Sequence, residues 1–142
     1  MELDVNLFSD SIKFQSIGCL SQHMVDFILS KKPDFAGRLS ENKEILFWAA
    51  RVKHTERHRK DFNCDAEYEQ CLKDIPNIIQ NPDYISIHPT DESVSFIKKY
   101  TKNVSVAIKI STDGKMVYRT MYPLRDAQLS EYIKNNRAWK YS

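Results

Sequence analysis

Apolar and polar residues follow two rhythms along this chain, one helical in the first half and one alternating from Tyr84 onward. Near the start, Val5-Asn-Leu-Phe8 and Ile12-Lys-Phe-Gln-Ser-Ile17 are short β-like runs separated by Ser9-Asp-Ser11, and Gly18 closes the second, which predicts a hairpin. Ser21 offers an N-cap ahead of Met24, Val25, Phe27, Ile28 and Leu29, and Pro33 ends the helix this makes. Ser40 opens a second predicted helix. In it Ile45, Trp48, Ala49 and Val52 form one apolar stripe, while Phe47, Ala50, His54 and His58 form another beside it. A short helix is expected over 65–72, and Pro76 suits the first turn of a following one that Asn81-Pro-Asp83 terminates.

The later rhythm predicts four strands at Tyr84–His88, Val94–Tyr100, Val104–Ile110 and Met116–Tyr122, joined by short polar connections. Asp113-Gly114 marks a two-residue hairpin turn between the last pair. That turn sets Ser111 opposite Met116, Lys109 opposite Tyr118 and Ala107 opposite Thr120. Ser105, Lys109, Tyr118, Thr120 and Tyr122 then share a polar face, with Arg119 interrupting the apolar one. A helix over 126–135 is expected to pack on the sheet through Leu129, Tyr132 and Ile133, leaving 137–142 as a tail. The fold class expected is α+β: N-terminal helices packed on a four-stranded antiparallel β-sheet, with a C-terminal helix. Residues 1–142 read as a single domain, with a core over 40–135 and an N-terminal extension over 1–39.

Composition narrows the function classes. Twenty-one Lys and Arg against nineteen Asp and Glu leave a net charge of +2, so any basic partner surface must be local. Three cysteines without Cys-x-x-Cys spacing argue against a disulfide framework or a zinc ribbon, and a reducing cytoplasm is the simpler reading. Neither a basic leader nor an apolar run of membrane length is present, so no membrane partner is expected.

One local feature carries chemistry. His54 and His58 stand a helical turn apart in Arg51-Val-Lys-His-Thr-Glu-Arg-His-Arg-Lys60, where five Lys or Arg accompany one Glu. Imidazoles exchange protons near neutral pH, and the surrounding charge suits a phosphodiester. A His-x-x-x-His helix can also bind zinc, but the metalloprotease form needs Glu after the first His, and Thr55 follows His54 here. The plainest alternative is a solvated charged helix. His23 and His88 stand alone and read as structural or exposed, and Cys64 and Cys71 as packing residues.

His54-x-x-Arg57-His58, the segment Ile75–Ile85, Val106-Ala-Ile-Lys109 and Thr120-Met-Tyr-Pro123 occur in an order that resembles the phage-associated nucleases of the Barnase–EndoU–Colicin–RelE-like fold. The resemblance implies a metal-independent endoribonuclease without cofactor, toxin-like and tied to phages or mobile elements. RNA is its implied substrate, and an immunity or antitoxin protein is a partner left open. By position it implies catalytic roles for His54, His58, Lys109 and Thr120, and substrate binding by Arg57 and Tyr122, to which Arg119 is added. One imidazole would deprotonate a ribose 2′-hydroxyl and another group would protonate the leaving oxygen. A non-catalytic RNA- or protein-binding adaptor of the same fold is the other reading.

Overall fold

In the computed structural model, which describes residues 1–141, seven strands form one sheet: β1 (Phe14–Cys19), β2 (Glu44–Trp48), β3 (Tyr84–Ile87), β4 (Ser93–Lys99), β5 (Asn103–Ile110), β6 (Met116–Leu124) and β7 (Ala138–Lys140). Five α-helices accompany them: α1 (Gln22–Lys31), α2 (Ala50–Glu56), α3 (Asp65–Lys73), α4 (Ile75–Gln80) and α5 (Asp126–Lys134). The strand order is β1-β2-β6-β5-β4-β3-β7. All neighbours are antiparallel except β2 and β6, which run parallel.

The α+β class therefore holds, but the expected four-stranded antiparallel sheet is replaced by a seven-stranded mixed one. The four expected strands are its centre, and β1, β2 and β7 extend it at both sides. The segment Glu44-Ile-Leu-Phe-Trp48 explains one error. Ile45 and Phe47 are buried while Glu44 and Trp48 are exposed, so its period is two, and β1 supplies the long-range partner that a sequence window does not contain. The expected helix from Ser40 thus shrinks to α2, and His58 lies beyond its C-cap Arg57, ahead of a 3₁₀ turn over Arg59–Asp61. The expected N-terminal hairpin is also absent. Asp4 Oδ1 accepts from Asn6 N–H at 3.0 Å and starts a 3₁₀ turn over Val5–Leu7, while Phe14–Cys19 pairs with β2 instead. Part of the expected tail is β7, paired with β3; Ser142 lies outside the described residues.

Local signals succeeded where chemistry was short-ranged. The Ser21 hydroxyl caps α1 by accepting from Met24 N–H at 3.2 Å, and α1 stops ahead of Pro33. Pro76 sits in the first turn of α4. On one sheet face, α1, α3 and α4 bury Met24, Ile28, Tyr68, Leu72, Ile75 and Ile79 against Ile45, Phe47, Ile85, Phe96, Val106 and Tyr118. On the other face α5 covers only a small cluster of Ile97, Leu124, Leu129 and Ala138, and Ile133, expected to pack here, is exposed. The rest of that second face stays open.

The β5–β6 register contains one irregularity that matters. Asn103 to Ala107 pair with Leu124 to Thr120, as the two-residue turn predicted, but Ile108 pairs with Tyr118, Lys109 with Val117 and Ile110 with Met116. Arg119 is the bulged residue, opposite nothing on β5. The turn is a longer loop, in which Gly114 adopts φ +86°, a left-handed conformation that favours glycine. As a result Tyr118 moves from the expected polar face into the core, where it stacks on Phe47 at 4.2 Å between centroids.

At the end of that ring the Tyr118 hydroxyl meets Thr55 Oγ1 at 2.6 Å, and Thr55 also donates to Arg51 C=O at 2.8 Å. Thr55 is fully buried, so this pair ties α2 to β6 without water. Thr55→Val strands the Tyr118 hydroxyl and is expected to destabilise the fold by about 1–3 kcal/mol in urea unfolding, whereas Tyr118→Phe leaves Thr55 its backbone acceptor and should cost less. Equal losses, or the reverse order, would show that the hydroxyl pair does not hold α2.

Candidate active site

The open part of the second face has a floor of small side chains. Ser86 pairs with Ser95, Ser95 with Ala107 and Ala107 with Thr120, one unbroken row across β3, β4, β5 and β6. Because alternate residues of the same strands fill the main core, this row points away from it. Small side chains in one row leave a depression of about 170 Å³. Arg51 and His54 of α2 line one wall, Tyr132 of α5 and Arg137 another, and His88, Asp91 and Ser93 one end.

The bulge shapes the wall nearest β6. Releasing Arg119 from the β5 ladder frees its carbonyl, which Arg51 takes through Nε at 2.9 Å and through a second, very short bond from Nη2. The phase change also lets the successive residues Arg119 and Thr120 both line the depression, although strict alternation would separate them. This resolves the apparent intrusion of Arg119 on the apolar side.

The depression is electropositive. Among the described residues Arg51, Arg119 and Arg137 form no salt bridge with a carboxylate, and Asp91 is the single acidic residue of the lining. Burial lowers the Arg51 pKa, with Arg119 adding to the effect. The His54 pKa is also lowered, first by burial and then by the positive charge of Arg51, Arg57, His58 and Arg119. Two polar atoms of the lining, Thr120 Oγ1 and Arg137 Nε, are shielded from solvent and have no hydrogen-bond partner within the protein. The Arg137 guanidinium lies over the Tyr132 ring at 4.0 Å, which holds it in place. His88 Nδ1 accepts from the backbone N–H groups of Thr90 and Asp91 at 3.2 and 2.8 Å, leaving Nε2–H as the donor of the neutral ring. Cations, fixed donors and an imidazole that resists protonation around one depression suit a phosphate group and a proton transfer beside it.

Of the residues expected from sequence, His54, Arg119, Thr120 and Tyr122 line this depression, and His58, Lys109 and Arg57 do not. His58 is near its edge, its ring 5.7 Å from that of Tyr122 and its Nδ1 3.1 Å from Asp61 Oδ2. Lys109 pairs with Ser93, which places it one step beyond the lining at the same end. Arg57 lines a separate shallow surface with Arg59, Lys60 and Asp65. The basic run does not act as one patch, because Arg59 is engaged by Glu56, Asp65 and Glu69. Sequence reasoning missed Arg51, His88, Tyr132 and Arg137. Their signals were weak: Arg51 belonged to the basic run, but its inward direction depends on the strand-to-helix switch at Ala49, and Arg137 lay in the supposed tail. Among the described residues no three His, Cys, Asp or Glu side chains group closely enough to hold a metal ion.

No curated protein and no solved structure matches the chain. Residues 31–131, which run from the end of α1 into α5 and include all of the depression's lining except Tyr132 and Arg137, match the family model described as phage-Barnase-EndoU-ColicinE5/D-RelE like nuclease3. A match over this much of the chain shows that the protein belongs to the PBECR3 nuclease family.

Proposed function

We propose that this nuclease is a metal-independent endoribonuclease that cleaves RNA by 2′-hydroxyl attack in the depression between α2 and α5. The observation that carries the reading is the convergence of His54 with two unpartnered, shielded donors, Thr120 Oγ1 and Arg137 Nε, on one site without a neutralising ion pair. Helix imidazole and sheet hydroxyl thus share one depression, as contact with a single scissile phosphate from two sides requires.

His54, kept neutral by burial and neighbouring guanidinium groups, accepts the 2′-hydroxyl proton as the 2′-oxygen bonds to phosphorus. Arg119, Arg137, the Thr120 hydroxyl and His88 Nε2–H donate to the nonbridging oxygens as their charge grows. Arg51 keeps the Arg119 backbone in position. The bond from phosphorus to the 5′-oxygen breaks, and that oxygen takes a proton from His58 at the edge of the depression, whose Nδ1 lies 3.1 Å from Asp61 Oδ2. The products are a 2′,3′-cyclic phosphate and a 5′-hydroxyl end. Lys109 and Arg57 contact flanking phosphates, and Tyr122 supports a base. Inside a bacterial cell such an activity acts as a toxin-like effector of a phage or mobile element.

Incubating the protein with labelled RNA in excess chelator is expected to give 2′,3′-cyclic phosphate ends, with DNA left intact because it lacks the attacking hydroxyl. His54→Ala should lower turnover by about 100-fold while the protein stays folded. Loss of all cleavage in chelator, or 5′-phosphate products, would overturn the mechanism; RNA binding without any product would identify an adaptor.

The acid limb of the pH–rate profile should reflect His54. Because the cation is disfavoured by burial and by Arg51, Arg57, His58 and Arg119, the neutral base persists as pH falls, and the limb should lie below the ordinary imidazole midpoint of about 6.5. Arg57→Gln removes one of these charges and should shift the limb upward. A limb at or above the ordinary value, unmoved by Arg57→Gln, would assign the base elsewhere.

A further inference from the structure

Beyond the depression, on the same sheet face, Phe14 and Trp48 are a directly opposed pair of β1 and β2. Their face follows from alternation: Ile45 and Phe47 of β2 enter the main core, so Trp48 and its partner Phe14 point the other way, as do Thr120, Ala107 and Ser95. Both rings remain open to solvent, 47% exposed for Phe14 and 42% for Trp48, with centroids 5.0 Å apart and planes tilted by 49°. Cationic residues lie beside them. Extending the parallel register of Ile45 with Met116 and Leu46 with Val117 by two residues sets Trp48 level with Arg119, which lines the depression. Arg51 follows Trp48 by one turn of chain, and Lys13 and Lys53 are exposed nearby in sequence. Glu44 shares this face of β2 but lies four residues away from Trp48, on the side remote from α2.

We propose that Phe14 and Trp48 form a stacking subsite for an unpaired base of single-stranded RNA next to the scissile phosphate, an inference that rests on the ribonuclease reading. Two aromatic faces supply the sequence-tolerant part of single-strand binding, and Arg119 with Arg51 supplies the backbone-tracking charge between the rings and the depression. The spacing fits. One interstrand step separates Trp48 from the floor row at Thr120 and two steps separate Phe14, roughly 5 to 10 Å at the usual interstrand distance, the scale of one nucleotide step. An apolar pair built for a protein partner would need no such alignment with guanidinium groups.

A 2′-O-methylated single-stranded hexanucleotide, which lacks the attacking hydroxyl, separates binding from turnover. Wild-type protein is expected to bind it with quenching of tryptophan fluorescence. The Phe14→Ala/Trp48→Ala double variant should bind about tenfold more weakly or worse, while Trp48→Phe, which keeps a stacking ring, should retain most of the affinity and lose most of the quenching. With cleavable RNA oligonucleotides the double variant should show a raised KM and little change in kcat. Unaltered hexanucleotide affinity in the double variant overturns the subsite even if RNA is cleaved. Quenched, ring-dependent binding with no cleavage upholds the subsite and overturns only the catalytic reading. A concentration-dependent dimer that the double variant abolishes, with RNA affinity unchanged, would make the pair a protein interface and overturn the proposal.

Discussion

The grip of the Arg51 guanidinium on the Arg119 carbonyl is the constraint on which the site depends. A bulge alone would leave a polar group without its ladder partner, and a seven-residue helix alone would have little to hold it. Together they solve both problems, since the freed carbonyl becomes the anchor of the helix. The same contact fixes the distance between α2 and the sheet, and with it the position of His54 relative to Thr120. The buried Thr55–Tyr118 hydroxyl pair sits on the core side of this anchor and prevents α2 from rolling. The open side is left to chemistry.

An arginine that is spent on a backbone carbonyl keeps its charge. This is why Arg51 acts on His54 as well as on the fold. A salt bridge at this position would hold α2 while cancelling the Arg51 charge that, after burial, disfavours the His54 cation. Arg59, a few residues on, shows the contrast: it has three carboxylates around it and contributes structure only. Two arginines from one basic run therefore play opposite electrostatic parts, and which is which depends on the loop and helix that follow, α3 having brought Asp65 and Glu69 to the second.

Much of the fold was legible where the signal was local. Ser21, Pro33, Pro76 and Asn81-Pro82 marked helix ends correctly because capping and proline act within a turn. Among the four central strands, β4, β5 and β6 run over seven or more residues, where alternation is hard to mistake, and the four-residue β3 was marked by the Asn81-Pro-Asp83 turn before it. The missing strands are short and borrow their stability from distant partners: β2 needs β1 and β6, and β7 needs β3. Five residues such as Glu44–Trp48 fit either period, so tertiary pairing decided. The site was legible to the same degree. His54, Thr120 and Tyr122 stood out by type, but the bulge that brings Arg119 and Thr120 together has no sequence mark, and Arg137 and His88 acquire their positions from pairings across the sheet.

The lining of the depression is also scattered in time. Arg51 and Arg119 lie 68 residues apart along the chain, and Arg137 closes the far wall from a still later position. Such non-local closure is slow relative to helix formation, and chains are synthesised from the N-terminus. A nascent chain that has already made α1 and α2 holds His54 beside no sheet, no bulge and no cationic wall. The cationic depression is thus complete only after β6 has paired and Arg137 has emerged, which makes it a property of the finished fold and of no segment of the growing chain.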